Sequence, residues 1–250
     1  MFMRLLQLKI NANFVHIFKD FYEETVMPQL QKMPGCKFAE LIQNWPHEDE
    51  FLSMTFWENR EAAENYQQSG TYSELLQKSG PYLAKSTEWK LQLSDSLELE
   101  YKPVSEEPVL KEFHVAEDSE KALRDNPGLH VRIVSIFIQE NKADEFKHIY
   151  RNEVVPALLK TAGCKYAFLT ENTHQTNEFI SITGWDSKKA VDAYEKHGAF
   201  AALVDKVKHT FSQAYQWKMA QIGDQSSHTI TTDDLSISYF RLLTGKHFDA

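Results

Sequence analysis

The sequence contains only two cysteines and has no apolar run long enough to cross a membrane. Two cysteines in 250 residues exclude a small fold held together by disulfides and favour a reducing compartment. A transmembrane helix needs about 20 consecutive apolar residues. The opening MFMRLLQLKI is shorter, is interrupted by Arg4 and lacks the cleavage region of a signal peptide. We therefore expect a cytoplasmic protein with no membrane partner.

Positive charge and cofactor motifs are also scarce. The chain has 27 Lys and Arg against 36 Asp and Glu, a net charge of −9, so it offers little attraction to nucleic acid or to an anionic membrane. Its ten histidines show no metal-ligand spacing such as HxxxH or HxH. It contains neither a phosphate-binding glycine-rich loop nor a GxSxG motif. The sequence therefore predicts no cofactor, no metal and no nucleic-acid partner.

The most informative feature that is present is an internal repeat. TVMPQLQKMPGCKFAEL and VVPALLKTAGCKYAFL share a proline, the triplet GCK and an aromatic–Ala pair, and their prolines, Pro28 and Pro156, are 128 positions apart. The same offset aligns the chain without a gap from Arg4 to Lys90. Aligned pairs include Phe18–Phe146, Tyr22–Tyr150, Trp57–Trp185, Tyr66–Tyr194 and Trp89–Trp217. A period this long indicates two duplicated domains rather than a solenoid.

In each copy a strand is predicted first and a helix second. Residues 6–10 and 134–138 alternate with a period of two, and apolar residues then recur at steps of three and four. Pro28 and Pro156 fall late in the helices and predict a kink one turn earlier. Glycines stand where a helix should end or be interrupted: Gly35, Gly163, Gly70 and Gly198.

Two strands, a second helical region and a last strand complete each copy. The paired strands end at Trp57 and Trp185, and the helical region of the first copy covers about 59–83. A last strand is expected around Trp89 and, in the second copy, around Trp217. The order β-α-β-β-α-β is the split βαβ, or ferredoxin-like, unit, and the predicted fold class is α+β.

A tail follows each predicted unit. Residues 97–101 and 235–239 alternate alike and predict an extra tail strand in each copy. The acidic, turn-rich stretch between the copies is interpreted as a connection. We therefore divide the chain into a first unit, residues 1–108, an acidic linker, 109–129, and a second unit, 130–250.

This order of elements resembles the antibiotic-biosynthesis-monooxygenase-like (ABM) domain of the dimeric α/β barrel superfamily. The resemblance depends on the P-x-L…G-C-K run, the Trp that closes the third strand and the helix EAAENYQQSGTY, and it covers about Met3–Leu93 and Val131–Ile222. Members of this family pack two sheets face to face from two chains. Tandem duplication implies that the barrel here closes within one chain, as an intramolecular pseudo-dimer. Further homo-oligomerisation is left open.

The resemblance implies two alternative functions. The family includes haem-degrading monooxygenases, whose helical His ligates iron, but the corresponding positions here are Leu76 and Val204. It also includes cofactor-free oxygenases of aromatic polyketides. The first hypothesis is therefore a monooxygenase without metal or flavin that acts on a small aromatic or quinol-like substrate. The alternative is a non-catalytic module for small-ligand binding or stress response. Whether the chain is an enzyme stays open at this point.

Candidate site residues follow from the resemblance and from the repeat. The first copy has three polar side chains suited to holding a phenolic ligand, and these are assigned as catalytic: Tyr66, Tyr72 and Asn65. The side chains expected to contact a small apolar or aromatic ligand are Trp57, Arg4, Tyr194, Phe200 and Trp185. Because Phe200 and Ala193 replace Tyr72 and Asn65, the first copy is expected to be the working one.

These residues also have structural interpretations. A buried Trp fills a core with its N–H bonded, and an Arg on a strand often pairs with a carboxylate rather than a ligand. Cys36 and Cys164 are interpreted as free thiols of the core. The alternating Ser53 and Thr55, with their counterparts in the second copy, are interpreted as a semi-polar face at the barrel seam.

Overall fold

The computed structural model describes residues 1–93, 99–105, 108–117, 128–222 and 235–248. The first unit contains β1 (Phe2–Lys9), α1 (Val15–Phe21), α2 (Met27–Gln31), β2 (Cys36–Asn44), β3 (Glu50–Trp57), α3 (Arg60–Gln68), α4 (Thr71–Ser79), β4 (Lys85–Leu93), β5 (Leu99–Ser105) and β6 (Val109–Glu117). The second contains β7 (His130–Phe137), α5 (Ala143–Ile149), α6 (Val155–Lys160), β8 (Cys164–Asn172), β9 (Glu178–Trp185), α7 (Lys188–Lys196), α8 (Ala199–Val207), α9 (Gln213–Ile222) and β10 (Leu235–His247).

Eight of these strands form one closed barrel in the order β1-β3-β2-β10-β7-β9-β8-β6. Each unit supplies four antiparallel strands, with the fourth beside the first: β6 pairs with β1, and β10 pairs with β7. The fourth strands also cross to the other unit, because β6 pairs with β8 and β10 with β2. The predicted fold, two ferredoxin-like units closed into a barrel within one chain, is confirmed.

The fourth strand of each unit is not the one that was predicted. β4 is a strand, but it pairs with β5 in a separate two-stranded sheet outside the barrel. In the second unit the corresponding segment, with Trp217, lies in helix α9, so the predicted strand there is wrong. Its sequence QAYQWKMAQI is rich in Gln, Ala, Lys and Met, which favour a helix. The free edges of β1 and β7 are paired by β6 and β10 instead.

The stretch that was interpreted as a linker contains barrel strand β6. The alignment of residues 97–101 with 235–239 is also wrong. Arg4 and Arg132 are equivalent positions in the two units, and their strand partners are Glu112 of β6 and Tyr239 of β10. The strand counterparts are therefore Glu112 and Tyr239. β6 alternates as VLKEFHV, which suits a strand with one face in the barrel. The unit boundaries at 108 and 130 stay a prediction.

The first helix of each unit has an irregular turn about one turn before its proline, where a kink was predicted. Residues Tyr22–Val26 and Tyr150–Val154 form a π-helical turn, and Pro28 and Pro156 lie in the first turn of the helix that follows. Proline has no N–H to donate to the carbonyl four residues earlier. The irregular turn covers the residues whose carbonyl would accept that hydrogen bond in a regular helix. The four glycines expected to end or interrupt helices all have positive φ, between 77° and 89°.

The core has an interior layer and two outer layers. The barrel interior is filled from both units, by side chains that include Met3, Met54, Phe56, Phe113, Phe168 and Ile182. Each sheet also packs its outer face against the helices of its own unit. In the described part of the chain no helix is long and apolar enough to span a membrane.

Candidate functional site

A cavity lies between the outer face of the first unit's sheet and the helices that cover it. The space free of protein atoms is about 540 Å³, a figure that includes open solvent at its mouth. Leucine side chains from β1, α4 and β6 supply much of its apolar wall. The polar residues on the wall are Arg4, Tyr22, Ser53, Thr55, Tyr66, Tyr72 and Ser79.

Of the described residues that line this cavity, Arg4 alone carries a formal charge, and it is 3% exposed. It projects from β1, where strand pairing places Glu112 of β6 beside it. Its Nη2 donates to Oε1 of Gln67 at 2.9 Å, and its Nε lies 3.4 Å from a Glu112 oxygen. That second contact has ion-pair distance but not hydrogen-bond geometry, and both Nε and Nη1 are buried with no hydrogen-bond partner in the part of the chain that the structure describes.

Tyr66 and Tyr72 stand beside this guanidinium. Cζ of Arg4 lies 5.7 Å from the ring centroid of Tyr66 and 4.7 Å from that of Tyr72. The two rings meet edge to face, with their centroids 5.8 Å apart. Burial raises the pKa of both phenols, and the charge of Arg4 opposes this only in part. Both hydroxyls are therefore neutral near pH 7 and can donate a hydrogen bond, but they are not bases.

Asn65 does not join the two tyrosines. It is exposed and is not on the wall of this cavity; it lines a separate surface hollow with Gly35 and Glu58, which Tyr66 also borders. Adjacent helix residues point about 100° apart, so Asn65 leaves α3 on a different side from the part of Tyr66 that faces the cavity. The expectation that the three side chains converge is therefore wrong for Asn65.

The repeated tryptophans lie behind the tyrosines rather than on the cavity wall. Trp57 is fully buried and stacks on Tyr66 at 5.0 Å, and its Nε1 donates to Oγ1 of Thr55 at 2.9 Å. Trp185 repeats this bond with Thr183 and packs against Tyr194 at 4.8 Å. The geometry thus gives Trp57 and Trp185 a supporting position.

Several wall residues were missed or misplaced by the sequence reasoning. The hydroxyl of Tyr22 shares a hydrogen bond with Oγ of Ser53 at 2.8 Å, and Tyr150 pairs in the same way with Ser181. Ser53 and Thr55 therefore face the helices, not the barrel seam, because the barrel side of β3 is taken by Leu52, Met54 and Phe56. The repeat carried a signal: these tyrosines and serines all recur at the common offset.

The second unit has a smaller cavity of about 440 Å³ at the equivalent place. Arg132 is 2% exposed, and its Nε donates to Oε1 of Glu195 at 2.7 Å. Its Cζ lies 5.6 Å from the ring of Tyr194 and 4.1 Å from that of Phe200. Phe200 and Val207 stand where the first cavity has Tyr72 and Ser79, so the second wall has two hydroxyls fewer.

The two helix positions that align with the haem-ligating His and the two cysteine thiols lie in apolar surroundings. Leu76 and Val204 line the two cavities. Both cysteines are free, as predicted, and burial raises the pKa of Cys36 and of Cys164 to about 12. Among the described residues, no group of three His, Cys, Asp or Glu side chains is arranged to hold a metal ion.

Comparison with known proteins is consistent with this architecture. The sequence model of the family named antibiotic biosynthesis monooxygenase matches residues 1–78 and 129–206, once in each unit. No curated protein matches the chain significantly.

Among solved structures, the chain is similar to candidate monooxygenases from Lactobacillus acidophilus NCFM and Fusobacterium nucleatum. The TM-scores are 0.64 and 0.69 at 10% and 9% identity, covering 99% and 98% of this chain and 99% and 94% of those chains. An anthrone oxidase-like protein matches with a TM-score of 0.59 at 12% identity, over 100% of this chain and 94% of its own. Such low identities show the fold alone. Because the family match covers more than half of its residues, the chain belongs to the antibiotic biosynthesis monooxygenase family.

Proposed function

We propose that the protein is a cofactor-independent monooxygenase that oxidises a small aromatic or quinol-like substrate in the first cavity. The observation that carries this proposal is the cluster of Arg4, Tyr66 and Tyr72 on the wall of an otherwise mainly apolar cavity. The apolar wall suits an aromatic body, and the cluster suits an oxygen substituent of that ring.

In the proposed reaction the substrate supplies the electrons. A deprotonated, electron-rich phenol gives one electron to O₂, and the substrate radical and superoxide then combine. A substrate CH₂ group that loses two hydrogens in this way becomes C=O, and the second oxygen atom leaves as water. The protein's part is to hold the ring, to favour the ionised oxygen through Arg4 and to donate hydrogen bonds from neutral Tyr66 and Tyr72.

The remaining substrate-contact assignments take a place in this proposal. Trp57 supports Tyr66 from behind, and Trp185 does the same for Tyr194. Tyr194 and Phe200 would contact a ligand only in the second cavity, which lines both of them. A cytoplasmic location and further self-association stay predictions from the sequence.

One observation favours a second candidate, a non-catalytic module that binds the same class of ligand. Among the described residues, the side chains on the wall of the first cavity include no carboxylate or histidine, so none of them is suited to take a proton from the substrate near pH 7. A binding module needs no such group. An oxygenase would have to receive a substrate that ionises readily or loses its proton to solvent.

Oxygen uptake tests the two candidates. The protein is mixed with a panel of naphthohydroquinones and anthrones, and uptake is corrected for autoxidation without protein. Monooxygenation predicts saturable uptake that falls about tenfold or more in Tyr66→Phe and Tyr72→Phe, since each loses a hydrogen bond to a charged group. Tyr194→Phe is the matched control and should leave uptake unchanged. Saturable binding without uptake above the blank would favour the binding module.

A further inference from the structure

Each cavity has one buried arginine on its wall, and one carboxylate lies beside each arginine, but this carboxylate comes from opposite sides in the two units. In the first unit the strand β6 supplies Glu112, and helix α3 supplies the neutral Gln67. In the second unit helix α7 supplies Glu195, and strand β10 supplies Tyr239, whose hydroxyl donates to Glu195 at 2.8 Å. The charged and neutral partners of the arginine have therefore exchanged places between the units.

The exchange leaves the two arginines unequally paired. Nε of Arg132 lies 2.7 Å from Glu195, the distance of a strong charge-assisted hydrogen bond. Nε of Arg4 lies 3.4 Å from Glu112, whose other oxygen is 3.6 Å from Nε2 of His174. Within residues 1–93, 99–105, 108–117, 128–222 and 235–248, two buried nitrogens of Arg4 have no hydrogen-bond partner, against one of Arg132. Positive charge is thus less compensated at the first cavity than at the second.

We propose that the first cavity selects ligands that carry one ionised oxygen, a phenolate or a carboxylate, and that the second cavity does not share this preference. The ligand's ring would lie against the leucine wall, with its charged oxygen toward the Arg4 side, where Tyr72 adds a hydroxyl that Phe200 cannot replace. This names the substrate class of the proposed function and rests on the same site, but it requires binding only and no turnover.

The probe is 4-nitrophenol, because its ionised form absorbs visible light and its neutral form does not. Protein is added at a pH just below the ionisation of free 4-nitrophenol. We expect the phenolate band to grow on binding, since a cavity that favours the anion lowers the pKa of the bound phenol. Binding with no such growth, or with loss of the band, would overturn the proposal without any variant being needed.

Three substitutions show which cavity binds the phenolate. Arg4→Gln should weaken phenolate binding by about tenfold or more, the value of a hydrogen bond to a charged group, whereas Arg132→Gln should leave it unchanged. Glu112→Gln removes the carboxylate that competes for Arg4 and should strengthen phenolate binding roughly three- to tenfold. Glu112 is partly exposed, so this variant stays informative if Arg4→Gln does not fold. Weaker binding by Glu112→Gln would contradict the charge argument.

A second pair of probes tests charge apart from ring chemistry. 2-Naphthoate should bind at least tenfold more tightly than 2-naphthamide, which has the same shape and no charge. Equal affinities would overturn the proposal. Oxygen uptake separates this inference from the proposed function. Preferred binding of anions without oxygen uptake from any phenol would contradict the monooxygenase activity alone. Oxygen uptake by a protein whose first cavity prefers neutral probes would contradict the anion selectivity alone.

Discussion

Glu40 is a carboxyl group in the interior of the barrel, and the protein's stability should depend on its proton. Its neighbours two positions away on β2, Phe38 and Ile42, belong to the barrel interior, so strand alternation points Glu40 there as well. It is 1% exposed, and its counterpart in the second unit is Phe168. Burial raises the pKa of Glu40 to about 8. The hydroxyl of Tyr166, close enough to feel this charge, has no hydrogen-bond partner.

The direction of the effect follows from which state holds the proton. Because the pKa of Glu40 rises from 4.5 in the unfolded chain to about 8 in the folded one, the folded protein binds more protons between these values. Its contribution to stability is complete below pH 4.5, falls as pH rises and is lost above pH 8. At about 1.36 kcal/mol per pH unit, this difference corresponds to about 5 kcal/mol, an upper limit for one buried group.

The perturbation is Glu40→Gln, which keeps the shape and cannot ionise. Urea denaturation is followed at pH values from 5 to 9, and the free energy of unfolding is compared between variant and wild type. We expect the wild type to lose stability across this range relative to Glu40→Gln, by several kcal/mol at most. If the side-chain amide introduced by Glu40→Gln lacks hydrogen-bond partners, the free energy of unfolding falls by the same amount at every pH. The slope of this free energy against pH is therefore the measurement that decides.

An exposed carboxylate supplies the control. Glu24→Gln, at an exposed position of the π-helical turn Tyr22–Val26, should leave the pH dependence as in the wild type. Parallel pH dependence of Glu40→Gln and wild type between pH 5 and 9 would contradict a raised pKa for Glu40. A parallel change would mean that Glu40 is charged in the folded protein and that the barrel interior accommodates this charge.

Three further predictions concern the barrel and its cavities. A fragment of residues 1–108 lacks β6 and exposes its interior face, so light scattering should show a dimer or aggregate, and a folded monomer would contradict the closed barrel. Gly184→Ala should destabilise the protein by about 1–3 kcal/mol in thermal unfolding, because the new methyl group meets the ring of Tyr166. Adding Tyr166→Leu should relieve part of this loss, and stability losses that simply add in the double variant would refute the contact. Haemin titration should give no stoichiometric Soret band, since Leu76 and Val204 cannot ligate iron; such a band would contradict this.

The repeat made the fold predictable wherever both copies use the same local signals. Pro28 and Gly35 act on their own helix and its end, so their consequences could be predicted from position alone. Strand pairing is not local in this sense. Trp89 and Trp217 align without a gap, yet Trp89 lies in a strand and Trp217 in a helix. Neither segment joins the barrel, since a later segment of the chain pairs with the edge of the first strand.

The candidate site was predictable by side-chain type but not by direction. Tyr66 and Tyr72 converge on Arg4, whereas Asn65 faces away, and only the helix geometry separates these outcomes. Glu112 was missed because its strand stood in an acidic stretch that looked like a connection. Glu40 was detectable in principle, since a charged residue stands where the second copy has a buried Phe168.

Closure of the barrel within one chain explains how the two units could come to differ. In a barrel made from two identical chains, every interior position and every cavity residue occurs twice, so a buried carboxylate would face a symmetric copy of itself. Here Glu40 occurs once, beside Tyr166 of the other unit, and Gly184 and Gly245 leave room near them. The same freedom allows a loosely paired Arg4 in one cavity and a tightly paired Arg132 in the other. Duplication therefore permits one cavity to specialise independently of the other.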